Sequence, residues 1–271
     1  MSPLQASHEQ RQNQSATPGV PAQAGAPVTA YPPPETGAAP GWPVILYFHH
    51  VDPDIRHYTA VTPEAFDRGL AQLGERFLPM EPQAVPSVLD KGGHPDPACL
   101  LTFDDGYTDV FEHALPIMER RGWRSVVFAS VDLVGQIEQH PVRGPLRHMT
   151  WEQLAELTRR GHIVASHGSA HVALNRMDTA AAQADIDNAQ DVLQERLPGA
   201  PDWLAYPFGE LPGPGDVRLP SLCFGSVKAS ARAWDVAPHE IRRTYLPADE
   251  PQRWDSCMTE WRRAWDPSGS R

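Results

Sequence analysis

Residues 99–107 read CLLTFDDGY, an apolar run that ends in two aspartates and a glycine. The run Cys99 to Phe103 predicts a buried β-strand. Neighbouring side chains of a strand point to opposite faces, so Asp104 and Asp105 can share one site only if the strand breaks, and Gly106 supplies that break. One carboxylate could then bind a metal while the other accepts a proton from water. An ordinary solvated Asp-Asp-Gly turn is the alternative for this stretch taken alone.

Apolar runs of the same kind recur along the chain, and helical patterns separate them. The runs occupy residues 44–48, 125–130, 162–166 and 204–208. Helices are predicted from Pro63 to about Phe77 behind a Thr62 N-cap, towards Arg121 with a kink or restart at Pro116, behind Thr150, and over 179–197. This alternation predicts an α/β fold in which crossover helices join parallel strands. The chemistry is then expected at the carboxyl ends of the strands.

The strand at 162–166 leads into a second polar sequence, SHGSAH over residues 166–171. His167 and His171 have the i, i+4 spacing that lets two imidazoles meet on one face of a helical turn. Together with Asp105 they would form a two-histidine, one-carboxylate set that leaves positions open for water and substrate. Zinc is the first choice of metal, and iron, cobalt, nickel or manganese would also suit such a set. Two unrelated surface histidines are the alternative in a chain with 12 histidines.

Two further strand ends carry weaker signals. In residues 205–210, AYPFGE, proline and glycine flank an aromatic residue and predict a turn whose backbone N–H groups could face an oxyanion. A simple packed turn would explain the same residues. In residues 48–51, FHHV, a histidine at a barrel rim could protonate a leaving amine. Since His49 and His50 face opposite ways, at most one of them is expected to be catalytic, and an ordinary core or surface histidine is the alternative for each.

The composition limits the classes of function. The 271 residues carry a formal net charge of −11, which does not favour binding to nucleic acid or to an anionic membrane. The three cysteines, Cys99, Cys223 and Cys257, form no close-spaced pair, so a reducing compartment is expected. The sequence shows no signal-peptide pattern and no run long enough to span a bilayer, which predicts a cytoplasmic protein. We expect a disordered Pro/Ala/Gln-rich arm over 1–41, a catalytic domain over 42–250 and a tail or final helix over 251–271.

The region from about Pro43 to Tyr245 resembles the polysaccharide deacetylases of the NodB-homology group, carbohydrate esterase family 4. Within that group it is most similar to the branch that deacetylates poly-β-1,6-N-acetylglucosamine. The resemblance is carried by TFDDGY at 102–107, by the His-x-x-x-His pair at 167 and 171, and by TWEQL at 150–154. It implies a distorted, incomplete (β/α) barrel with parallel strands and crossover helices.

The resemblance also implies roles for individual residues. Asp104 would be the general base, and Asp105, His167 and His171 would bind the divalent metal. His49 would be the acid, because FHHV matches the N-terminal histidine strand of that branch. The backbone N–H of Phe208 would lie in the oxyanion hole. The other residues of that substrate-binding turn would be Tyr206, Pro207 and Gly209.

The sequence departs from the family pattern at two places. Many members have an arginine that orients the catalytic aspartate, and Ala205 stands at its position here. Arg242 and Arg243 are the candidates to replace it, unless the role is left unfilled. The glycine- and proline-rich stretch from Leu211 to Pro220 predicts an open loop in place of a family helix.

The expected function is a metal-dependent hydrolase that removes an N-acetyl group from an amino sugar or a small N-acylated metabolite. The lack of an export signal favours such a substrate over a polymer outside the cell. Three alternatives stay open: deacetylation of a β-linked N-acetylglucosamine polymer, hydrolysis of a cyclic amide, and a binding relative without catalysis. Neither nucleic acid nor membrane is expected as a partner.

Overall fold

The structure is a computed structural model that describes residues 33–213 and 215–266. Its strands are β1 (Val44–Phe48), β2 (His50–Val51), β3 (Ala60–Val61), β4 (Leu78–Pro79), β5 (Ala98–Phe103), β6 (Ser125–Ala129), β7 (Ile137–His140), β8 (Gly144–Arg147), β9 (Ile163–Ser166), β10 (Trp203–Ala205) and β11 (Leu222–Phe224). Its α-helices are α1 (Pro63–Gly74), α2 (Val85–Asp90), α3 (Leu115–Arg120), α4 (Trp151–Arg159), α5 (Thr179–Arg196) and α6 (Trp254–Trp265).

The main sheet is parallel and nearly closed. Its strands pair in the order β1-β5-β6-β9-β10-β11, and β4 pairs with the start of β5. Residues 241–244 lie between the two outer strands, because Ile241 bridges to Phe224 of β11 and Thr244 bridges to Leu46 of β1. The sheet therefore curls into an irregular barrel with a seam at 241–244. The predicted α/β fold, a distorted (β/α) barrel of the NodB type, is confirmed.

Alternate side chains of each strand pack into two separate cores. Leu46 of β1 and Val127 of β6 belong to the outer core, which the helices cover. Ile45 and Phe128 on the same strands belong to the inner core. Because both faces of a parallel sheet are buried, these strands appear in the sequence as continuous apolar runs.

Local capping explains where the predicted helices begin. The Thr62 hydroxyl accepts the Ala65 N–H at 3.2 Å, and α1 ends at Gly74, three residues before its predicted end. Thr150 and Gln153 form a capping box at the predicted start of α4. The stretch towards Arg121 restarts, since a π-helical segment over Val110–Ala114 precedes α3.

Two predicted boundaries are wrong at the carboxyl end of β10 and at the start of the domain. The strand predicted over 204–208 ends at Ala205, and a 3₁₀ turn follows at Pro207–Gly209. Residues 1–32 of the predicted arm lie outside the described residues. Residues 33–41 belong to the folded domain, because the carbonyl of Pro34 accepts hydrogen bonds from Thr244 Oγ1 at 2.8 Å and Trp261 Nε1 at 2.6 Å.

The C-terminal segment forms the helix that the sequence left open as one of two alternatives. Helix α6 buries Trp254, Cys257, Met258 and Trp261 in the outer core, and residues after 266 lie outside the described residues. The described parts of the predicted loop, 211–213 and 215–220, contain no helix or strand. In the described chain no helix combines the length and the apolar character that a membrane span needs.

Candidate active site

The two aspartates lie at the carboxyl end of β5, where the backbone turns sharply. The N–H of Asp104 donates to the carbonyl of Phe48 at 2.9 Å, which continues the pairing with β1. Asp105 has φ 69° and Gly106 has φ 70°, so the strand breaks at Asp105 itself as well as at the glycine. A left-handed backbone is unfavourable for aspartate. His148 supports it, because its Nδ1–H donates to the carbonyl of Asp105 at 2.9 Å.

The structure brings together the three residues predicted to bind a metal. Asp105 Oδ1 lies 3.2 Å from His167 Nε2 and 3.0 Å from His171 Nε2. One ligand atom from each residue lies within 4.8 Å of the others. His167 Nδ1–H donates to the carbonyl of Ala205 at 2.8 Å, so its Nε2 carries a lone pair that faces the carboxylate.

The chemistry of this cluster fits a divalent metal. Asp105 Oδ1 is buried and has no hydrogen-bond donor within the described part of the chain. Burial alone would raise the pKa of Asp105, but His171 and His167 hold it well below its usual range. An ionised oxygen and two imidazole nitrogens that converge without a donor between them form a ligand set that zinc and similar ions accept.

The two histidines meet across a loop, so the prediction of a helical turn is wrong. Their ring centroids lie 5.1 Å apart, and Gly168 and His171 have φ 74° and 53°. Asp185 of α5 accepts the N–H groups of Ser169 at 3.0 Å and Ala170 at 3.3 Å. A Cβ at Gly168 would lie 2.7 Å from Asp185 Oδ2. Helix α5 therefore holds the loop in the shape that directs both imidazoles to Asp105.

Arg243 forms a buried bidentate ion pair with Asp104. Its Nη1 and Nη2 donate to Asp104 Oδ1 and Oδ2 at 2.6 and 2.9 Å, and its Nε donates to the carbonyl of Gly225 at 2.7 Å. Burial would raise the pKa of Asp104, but the Arg243 guanidinium outweighs it and the pKa is lowered. Arg242 instead donates to backbone carbonyls, including that of Thr36. Of the two candidates for the missing arginine, Arg243 contacts the aspartate.

The structure also separates the two adjacent histidines. His49 faces the cluster, with Nε2 4.0 Å from Asp105 Oδ2 and Nδ1 2.7 Å from the Thr59 hydroxyl. Burial lowers the pKa of His49 to about 4, although Asp105 opposes the shift. His50 is fully buried, and its Nδ1 lies 2.7 Å from Asp109 Oδ2. His49 is thus the one placed beside the metal-ligand cluster, as predicted.

The turn after β10 presents Phe208 beside the cluster. Phe208 has φ 60° and an exposed ring whose centroid lies 4.7 Å from that of His171. Gly209 N–H donates to the carbonyl of Tyr206, and Glu210 N–H donates to the carbonyl of Pro207. The N–H of Phe208 donates to no acceptor among residues 33–213 and 215–266, so it is available to a ligand.

The other residues of the predicted substrate-binding turn, Tyr206, Pro207 and Gly209, shape the turn. Tyr206 is buried, and its hydroxyl donates to the carbonyl of His239 at 2.9 Å, which anchors the start of the turn. Pro207 is buried, and Gly209 adopts φ 66° with Ser226 packed against its Cα. Both shape the turn that presents Phe208.

Several residues beside the site carried no signal in the sequence. Thr59 binds His49, Asp185 holds the histidine loop, and Tyr107 stacks on His50 at 4.1 Å between ring centroids. Tyr107 belongs to the TFDDGY run, so its position could have been suspected. The other two lie in stretches that pattern analysis treats as ordinary loop and helix.

Part of the chain matches a known protein family. The family model described as polysaccharide deacetylase matches residues 91–214, which include Asp104, Asp105, His167 and His171. This part of the chain is therefore similar to the polysaccharide deacetylases. A curated relative, the putative polysaccharide deacetylase YxkH of Bacillus subtilis (strain 168), is 26% identical over 134 residues. That match covers 49% of this chain and 45% of YxkH, so it spans about half of the curated relative.

Two solved structures illustrate the similarity of fold. The structure of IcaB from Ammonifex degensii has a TM-score of 0.68 and 22% identity, and the match covers 83% of this chain and 100% of that one. The Streptococcus pyogenes deacetylase PplD, in complex with acetate, has a TM-score of 0.64 and 18% identity over 81% of this chain and 97% of its own. Both structures share the barrel fold described above.

Proposed function

We propose that the protein is a metal-dependent hydrolase that removes the N-acetyl group from an amino sugar or a small N-acylated metabolite. The observation that carries this proposal is the convergence of Asp105, His167 and His171 beside the Asp104–Arg243 pair. The similarity of residues 91–214 to the polysaccharide deacetylases supports an N-acetylated carbohydrate as the substrate class.

Each group around the cluster has a place in amide hydrolysis. A divalent metal, when held by Asp105, His167 and His171, would polarise the amide carbonyl and make water more acidic. Asp104 is ionised and held by Arg243, so its carboxylate can accept the proton of the attacking water. The free N–H of Phe208 can donate to the oxyanion.

The leaving amine needs a proton from the opposite side of the cleft. His49 Nε2 lies 4.0 Å from Asp105 Oδ2, and the Thr59 hydroxyl binds its Nδ1, so the ring is fixed with one nitrogen towards the cluster. An imidazole in this position can protonate the nitrogen as the C–N bond breaks.

The Arg243–Asp104 pair argues against the alternative of a non-catalytic binding protein. The feature in its favour is Ala205, which stands where the resemblance implies an arginine. Arg243 supplies a guanidinium to Asp104 from another part of the chain. A protein that only binds sugars has no need of this buried pair next to a metal-ligand set.

The proposal is tested by acetate release from a panel of N-acetyl sugars and N-acetylglucosamine oligosaccharides, with and without a chelator. Ring opening of small cyclic amides is followed in parallel by chromatography. We expect turnover of N-acetyl sugars that the chelator abolishes and added metal restores. Asp104→Asn should lower kcat at least about 100-fold while metal content is kept. His167→Ala should lose both bound metal and activity.

Asp191→Asn is the matched control, because Asp191 is exposed on α5 and forms no contact given by the structure. It should behave as wild type. The proposal is wrong if Asp104→Asn or His167→Ala releases acetate at the wild-type rate, or if only the cyclic amides are hydrolysed.

A further inference from the structure

The hairpin β7–β8 places an arginine beside the candidate active site. At its tip, His140 Nδ1 accepts the N–H groups of Val142 at 3.2 Å and Arg143 at 3.0 Å. These two bonds fold the tip onto its own strand. The backbone of Arg143 is therefore fixed before any ligand binds.

The side chain of Arg143 is held by a short chain of hydrogen bonds that starts at the partly buried carboxylate of Asp109. Asp109 accepts the N–H of Val51 at 2.8 Å and the Nδ1–H of His50 at 2.7 Å. With its proton on Nδ1, His50 has a lone pair on Nε2, which accepts from Arg143 Nη1 at 3.2 Å. This bond positions the guanidinium and uses one of its five N–H groups.

The guanidinium lies among side chains that flank Asp105, His167 and His171. His50, which holds it, is adjacent in sequence to His49 and stacks on Tyr107. His57 lies beside His49, with 5.0 Å between their ring centroids. Burial and His49 lower the pKa of His57, and Arg143 lowers it further, which agrees with a cation close to this ring.

Arg143 has no carboxylate partner in the described chain. The ion pairs with N···O up to 4.0 Å among residues 33–213 and 215–266 do not include it. It is half-buried, so part of its hydration is lost without a compensating ion pair. In a chain of net charge −11, an unpaired cation at the cleft is the feature that would select a ligand of opposite charge.

We propose that Arg143 is a specificity-determining residue that binds an anionic group of the substrate, a carboxylate or a phosphate. The preferred substrates are then acidic N-acetyl amino sugars, in which the anion lies within reach of the acetamido group. Guanidinium is suited to this task, since its fork of N–H groups matches the oxygens of either anion. The inference rests on the proposed deacetylase function and narrows its substrate class.

The test compares neutral and acidic substrates of the same ring. Acetate release is measured with N-acetylglucosamine, N-acetylmuramic acid as the carboxylate and N-acetylglucosamine 6-phosphate as the phosphate. The wild type should favour at least one acidic sugar by about tenfold or more in kcat/KM, the size that one charge-assisted hydrogen bond supplies. Arg143→Gln should remove most of this ratio, and Arg143→Lys should keep part of it.

Arg147→Gln is the matched control, because Arg147 lies on the same hairpin and is exposed. It should leave the ratio of acidic to neutral substrate unchanged. The inference is overturned if the wild type shows no preference for either acidic sugar, if Arg143→Gln keeps the wild-type ratio, or if Arg147→Gln lowers it equally. An equal loss on neutral and acidic sugars would assign Arg143 to positioning of His50 alone, and would overturn it too.

Binding of the same three sugars to the Asp104→Asn variant, measured by calorimetry, separates this inference from the proposed function. If neither the wild type nor any of the variants releases acetate, the deacetylase proposal fails. Tighter binding of an acidic sugar that Arg143→Gln weakens about tenfold in the Asp104→Asn background would still support the role of Arg143. Equal binding of all three sugars in that background would overturn it.

Discussion

At the level of single residues, the positive charge beside Asp104 comes from Arg243, which is distant in sequence. The resemblance implies an arginine where Ala205 stands, and Arg243 reaches Asp104 instead from the seam between β11 and β1. The guanidinium also lies over the rings of Tyr47 and Phe128, at 5.1 and 5.3 Å from their centroids. The position is thus set by packing as well as by the ion pair.

The ion pair predicts a specific coupling in stability. Arg243→Met should lower the free energy of unfolding by about 3–5 kcal/mol, because it leaves the Asp104 carboxylate buried without a partner. Asp104→Asn in the same chain should recover at least about 1 kcal/mol of that loss, since the uncompensated charge is gone. Urea unfolding of the two single variants and the double variant measures the coupling.

Arg218→Met is the control for this experiment. Arg218 pairs with Asp187 at 3.1 Å at the surface, so its loss should change stability by less than about 1 kcal/mol. Strictly additive effects of Arg243→Met and Asp104→Asn would contradict the coupling.

At the scale of elements, α5 shapes the active site without contributing a metal ligand. Its Asp185 accepts two consecutive N–H groups of the histidine loop and also contacts Gly168 closely. The loop needs this support because it contains two left-handed residues, Gly168 and His171. The helix thereby converts a stretch with little structure of its own into a fixed pair of imidazoles.

We expect Asp185→Ala to lower both stability and metal affinity. Two N–H groups lose their acceptor, which costs about 1–3 kcal/mol where they stay buried. The loosened loop should weaken Zn²⁺ binding about 10- to 100-fold, as for other residues that orient ligands. Calorimetric titration with Zn²⁺ measures the affinity, and Asp191→Ala on the same helix is the control. Equal affinity in the two variants would show that the loop holds its shape without Asp185.

At the scale of the whole molecule, the barrel is buried on both faces, and its stability therefore depends on groups that must stay neutral. His162 at the start of β9 is one of them, with 1% of its surface exposed. Its Nδ1 accepts the N–H of Ser125 at 3.2 Å. Protonation of Nδ1 would remove this acceptor and place its N–H opposite the N–H of Ser125. Burial lowers the pKa of His162 to about 4, and Arg124 adds to the shift.

This depressed pKa predicts a loss of stability in acid. Between about pH 6.5 and 4 the unfolded chain binds the proton of His162 and the folded chain does not, so stability falls as the pH falls. From pH 7 to 4, wild type should lose about 2–3 kcal/mol more than His162→Gln, whose side-chain oxygen can still accept from Ser125. Urea unfolding at several pH values measures the difference. Parallel pH dependences of the two proteins would refute the assignment.

Sequence patterns were enough to predict the parallel α/β fold and to single out Asp105, His167 and His171, which the structure brings together. Both depend on local patterns: apolar runs buried on two faces, and polar residues directly after them at 104–105 and 167–171. Capping at Thr62 and Thr150 is equally local, and the predicted starts of α1 and α4 are confirmed. Local sequence patterns can predict site residues where each of those residues directly follows a strand.

Contacts between distant segments were needed to distinguish between Arg242 and Arg243 and between His49 and His50. Asp104 and Arg243 are 139 residues apart, and only the bridges at the seam show which of two adjacent arginines points inward. The direction of His49 and the loop conformation of the histidine pair likewise depend on contacts with Thr59 and α5. These outcomes come from packing between distant segments, which periodicity and spacing do not encode.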